Sequence, residues 1–140
     1  LNKIILPFVQ FLKTQSSSDQ KQLNYKKMKE FIMVFRNAPM GDFKPTPEQM
    51  QAVEKQWNDW FAGIAAQGKY GGGNRPGSEG KTIKPGNVVT DGPYAEVKEI
   101  LMGVCTVKAE SIDEAVEIAK GCPILQFGGN VELRDIIYKD

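Results

Sequence analysis

The 140-residue chain contains no histidine and only two cysteines, Cys105 and Cys122. Without an imidazole, the side chain that most often serves as a general base near neutral pH is missing, so any chemistry must rest on carboxylate, phenol or guanidinium groups. Two thiols are too few for a disulfide framework, and with no histidine or thiol cluster beside them they cannot build a zinc site. Free thiols in a reducing compartment are expected, hence a cytoplasmic protein; no metal and no cofactor are expected. No apolar run reaches the ~20 residues needed to span a bilayer, so no membrane association is expected. Charge of one sign is also scarce: a formal net charge of +1 argues against the basic stripe of a nucleic-acid surface. Gly71-Gly72-Gly73 lacks the lysine and hydroxyl residue of a phosphate loop, and reads instead as a place where another backbone approaches closely.

What is present fits one compact domain, with 41% hydrophobic and 25% charged residues. The charge is unevenly placed. Residues 1–27 carry five lysines against Asp19, leaving 13 basic and 16 acidic residues in the rest. Within that arm, LNKIILPFVQFL resembles a signal peptide only faintly, because Pro7 interrupts the apolar run and no small-residue cleavage site follows. The polar stretch after it has no period and reads as a linker. The expected domain is therefore 28–140, with 1–27 an extension, or else an arm whose apolar end docks as a helix on the body or on a neighbouring subunit.

KEFIMVFR, Lys29 to Arg36, is apolar on both faces and predicts a central strand. Thr46-Pro47-Glu48-Gln49 opens a helix with an N-cap, a proline at the first position and a capping-box glutamine. Met50, Val53, Trp57, Trp60, Phe61 and Ile64 follow at helical spacing until Gly68. The two tryptophans fit the buried stripe better than a ligand-stacking role. A weak glycine-rich strand from Lys69 and a hairpin around Thr82-Ile83 come next. EILMGVCTVK, Glu99 to Lys108, is the second strand apolar on both faces, with Ile100, Met102 and Val104 set against Leu101, Cys105 and Val107. Ser111 and Glu114 then form an S-x-x-E box before a helix whose expected buried stripe is Ile112, Ala115, Val116 and Ala119. Val131 to Tyr138 reads as a last strand of mixed polarity.

This order predicts an α+β domain of ferredoxin-like β-α-β-β-α-β type with an inserted hairpin. The first and third strands of that topology are central, and they are the two apolar on both faces. Two helices cover one side of a four-stranded sheet, and an apolar second side left in water would far exceed the patch normal for a monomer. A second copy packed face to face in a homodimer is the economical cover. The alternative is the N-terminal arm, which has little apolar area to offer.

VTDGPYAEVKEIL before a strand, followed by SIDEAVEIAKGCP and GGNVELRDI, resembles the DGPF-type branch of the YCII-related proteins over Met28 to Tyr138. Tyr94 stands where that motif has phenylalanine. The resemblance implies a dimeric α+β barrel, two ferredoxin-like sheets packed together with a cleft on each side. Some YCII-related proteins are small-molecule enzymes working through a histidine and an aspartate, and one branch acts on chlorinated aromatic hydroxyquinones. DGPF-type relatives often accompany sigma factors of the extracytoplasmic-function class. Histidine-dependent chemistry cannot transfer to this chain.

Four residues are ligand-binding candidates, and each has a plainer reading. Asp91 caps the turn or contacts a ligand; Tyr94 orients a ligand through its phenol or packs over the sheet edge. Glu96 shares a face with Lys98 and forms a solvated pair, or else works as an acid or base in the cleft. Arg36, leaving a central strand, anchors an anion or pairs with an acidic residue. Asp91 and Glu96 are the catalytic candidates should a reaction exist. The expectation is a cytoplasmic homodimer binding a small polar or aromatic molecule. The alternatives are a histidine-independent small-molecule enzyme and a non-catalytic accessory of an extracytoplasmic-function sigma factor.

Overall fold

The computed structural model describes residues 28–37, 43–92 and 100–139. The arm expected over 1–27 and the turn residues 38–42 lie outside the described residues. The elements are β1 (Lys29–Asn37), α1 (Pro47–Ala66), β2 (Tyr70–Asn74), β3 (Lys81–Lys84), β4 (Val88–Asp91), β5 (Ile100–Ala109), α2 (Ile112–Ala119), a 3-10 turn (Pro123–Phe127) and β6 (Asn130–Asp135).

Four strands form one sheet in the order β2-β5-β1-β6, while β3 and β4 pair separately as the inserted hairpin. All neighbours run antiparallel. The two strands that are apolar on both faces do take the centre, and the arrangement is compatible with a ferredoxin-like fold. Among the described residues the core lies on one side of the sheet. Phe31, Met33 and Phe35 of β1 alternate into it beside Cys105, Val107 and Ala109 of β5, and Ile64, Ala115 and Ala119 of the two helices close it.

Helix α1 starts as its sequence dictates. Thr46 Oγ1 accepts from the Gln49 N–H at 3.2 Å and Gln49 Oε1 accepts from the Thr46 N–H at 2.9 Å. Its aromatic stripe packs edge-on against β1, with Phe35 ring centroids 5.2 Å from Trp57 and 5.9 Å from Trp60. Trp60 also donates its indole N–H to the Ile118 carbonyl at 3.2 Å, tying α1 to α2. Met50, expected in that stripe, is exposed because it lies in the first turn, before the helix reaches the sheet.

Helix α2 departs from expectation in two ways. Ser111 Oγ accepts from the Glu114 N–H, but the Glu114 carboxylate accepts from the Glu110 N–H and from Lys69 instead of closing the box. Lys69 precedes β2, so this contact fixes the helix start to the sheet edge. In addition, only Ala115 and Ala119 of the expected stripe are buried; Ile112 and Val116 stand exposed. Alanines let the short helix sit close to the strands, so only a narrow line of it faces the core. The 3-10 turn, which no sequence signal announced, contributes Ile124 to that core. The last strand ends at Asp135 rather than at Tyr138.

Candidate functional site

Among the described residues, the second side of the sheet carries no helix. Alternation along β1 turns Ile32, Val34 and Arg36 to this open face, opposite the buried Phe31, Met33 and Phe35. On β5 a bulge falls where Phe35 pairs with Gly103 while Arg36 pairs with Leu101, so that one extra residue, Met102, is accommodated. The shift has a consequence that strict alternation hides. Leu101, expected on the Cys105 side, lies across from Arg36 and joins Met102 and Val104 on the open face. Ile32, Val34 and Val104 are half-buried, and Leu101 and Met102 are 46% and 38% exposed.

Polar groups close this apolar centre at two ends. At one end Tyr138 donates its hydroxyl to Glu30, which faces Lys108 across β1 and β5. That hydrogen bond, with burial and the nearby carboxylate charge, holds the Tyr138 phenol above its usual pKa. At the other end Arg36 Nη1 donates to Glu132 Oε2 of β6 at 2.9 Å, and Arg134 Nη1 stands 3.7 Å from Glu132 Oε1. The hydrogen bond and charge of Arg36, the principal causes, hold the Glu132 carboxyl below the usual carboxylate range. Side chains of Arg36 and Glu132 are 34% and 41% exposed, so the pair is only partly screened by water. Gly129 makes room for this corner: a Cβ there would lie 2.6 Å from the Arg36 carbonyl oxygen and 2.5 Å from Ile124.

Of the four candidates of the sequence, Arg36 and Asp91 are among the described residues. Arg36 lies on the open face and is paired with an acidic residue. Asp91 closes the far end of the hairpin, where its carboxylate meets Lys81 Nζ at 2.7 Å with its side chain 94% exposed. It therefore pairs across the hairpin, while the Gly92 N–H donates to the Gly80 carbonyl. Tyr94 and Glu96 lie in 93–99, outside the described residues. The chain nevertheless re-enters the sheet beside the Arg36 corner, since Ile100 pairs with Asn37 and Leu101 with Arg36. Sequence reasoning missed Glu132 and Arg134. Their signal was the alternation in β6, where Val131 and Leu133 pack on the core and Glu132 and Arg134 take the opposite parity.

Among the described residues no group of three or more acidic or thiol side chains could hold a metal ion. Both thiols are buried, and burial pushes Cys105 up to about 12 and Cys122 up to about 11, which suits packing and not nucleophilic work. A shallow hollow between the helices, lined by Asp59, Trp60, Gly63, Ile64, Gln67 and Ile118, contains none of the candidates. No helix among the described residues is long and apolar enough to cross a membrane.

The fold and this face thus define an α+β domain with helices on one side of an antiparallel sheet and an apolar, polar-ended surface on the other. Residues 31–138 match the YCII-related domain, and the chain belongs to that family. No curated protein matches it.

Proposed function

We propose that the chain works as a cytoplasmic homodimer of the DGPF type, its open sheet faces packed together as a dimeric α+β barrel, and that a cleft at the Arg36 corner binds a small polar or aromatic molecule. The observation that carries this reading is the open face itself. It presents an apolar centre of Ile32, Val34 and Val104, with Leu101, Met102 and a half-buried guanidinium at its edge. Such a centre favours a partner surface, and a corner on the outer strand leaves a wall that a ligand can reach. Arg36 supplies fixed donors, the segment returning to the sheet at Ile100 carries Tyr94 and Glu96, and Asp91 lies just before it in sequence. Any reaction would use Asp91 or Glu96 as acid or base.

The test is a binding and turnover survey of hydroxylated aromatics, beginning with catechol, on the dimeric protein. Saturable binding that weakens in Arg36→Gln supports the reading. If turnover is found and neither Asp91→Asn nor Glu96→Gln slows it, those two catalytic roles are refuted.

A further inference from the structure

We infer that the Arg36 corner is selective for a monocarboxylate with an apolar body, and that Glu132 and Arg134 set this selectivity. The inference rests on the cleft reading above and names the chemistry of its ligand.

Arg36 is held by one edge. Its Nη1 donates to Glu132 Oε2 at 2.9 Å, while Nε and Nη2 form the other edge of the fork, the edge that grips a carboxylate through two parallel hydrogen bonds. Glu132 does more than occupy a donor. It is kept ionised by Arg36, and it cancels one of the two guanidinium charges gathered by Arg36 and Arg134. The corner therefore offers one unit of positive charge beside a fixed negative one. A single carboxylate matches it, a neutral analogue forgoes the charge-assisted bonds, and a dianion sets its second charge against Glu132.

The apolar requirement comes from the bulge. Leu101 lies directly across from Arg36, and Met102 is the extra residue beside it. A carboxylate held by the fork has its carbon skeleton over these two side chains. A ring or branched chain buries area there that a short polar acid does not.

The experiment is a proton-nitrogen NMR titration of the full chain at pH 7 with benzoate, benzamide, phthalate and neutral catechol, following the Arg36 Nε–H signal. Benzoate should shift that signal and bind about tenfold or more tighter than benzamide, as charge-assisted paired hydrogen bonds do. Arg36→Lys keeps the charge but loses the fork, and should cut the benzoate margin by about threefold or more. Glu132→Gln removes the negative charge, and should move the benzoate-to-phthalate preference about tenfold towards phthalate; a merely structural Glu132 would weaken both acids alike. Benzoate binding no tighter than benzamide, or an unchanged preference in Glu132→Gln, overturns the inference. If catechol still saturates the protein in that case, the broader cleft reading survives. If none of the four probes saturates, both fail.

Discussion

Arg36 and Glu132 meet diagonally across two antiparallel strands on the open side of the sheet, Nη1 2.9 Å from Oε2. The contact joins the end of a central strand to the start of an edge strand, at the place where a bulge in β5 crowds Leu101 and Met102 onto the same side. A cation so placed is fixed in direction and still partly open to water.

The Glu132 carboxyl should titrate below the ordinary glutamate range in a carbon-13 NMR pH series, and Arg36→Gln should return it towards that range. An ordinary Glu132 midpoint in the unmodified protein would mean that the contact does not persist in solution.

Acid stability should depend on Glu114. Its carboxyl is held below the usual carboxylate range, first by the hydrogen bond from Lys69 and then by the Glu110 N–H. A depressed folded pKa gives stability that is present above the unfolded value and is lost as pH falls through the folded one. Thermal melts should therefore be steady from neutral pH down to the unfolded value and then decline, with a shallower decline in Glu114→Gln. Equal acid slopes for the two proteins would refute the role.

Both cysteines should be silent towards a thiol reagent at pH 8 in the native protein and react fully in denaturant. Burial raises Cys105 to about 12 and Cys122 to about 11, so neither forms thiolate at that pH. Rapid native modification of either thiol would contradict the buried placement.

Gly73 should resist substitution. A Cβ there would lie 2.7 Å from the Val104 carbonyl oxygen and 2.8 Å from Cys105 Cβ, whereas one at Gly77 meets nothing within 4 Å. Gly73→Ala should lose about 1–3 kcal/mol in denaturant unfolding, the usual cost of overpacking, and Gly77→Ala should change little. Equal stability of the two variants would mean that β2 sits farther from β5 than described.

Much of the architecture was legible in the sequence because periodicity and capping agreed. The two strands apolar on both faces took the centre of the sheet, and Thr46 to Gln49 capped α1 as its residue types require. The site was less legible, for reasons of geometry. A bulge adds one residue and reverses the parity of what precedes it, so Leu101 could not be assigned to a face without knowing the pairing of Arg36. Glu132 and Arg134 were hidden because a mixed edge strand looks like solvated surface until its partner strand is known. Ile112 and Val116 were misplaced because helical spacing gives the direction of a stripe and not its width, which the small Ala115 and Ala119 narrowed.

The central claim is that the open face is an interface between two copies, and sedimentation equilibrium at micromolar concentration tests it most directly. The account predicts a species of twice 15.6 kDa for the unmodified chain, and a monomer for Val34→Arg, which sets a charge in the middle of the apolar centre. An unmodified chain that sediments at 15.6 kDa would contradict it, as would a Val34→Arg variant that remains a dimer.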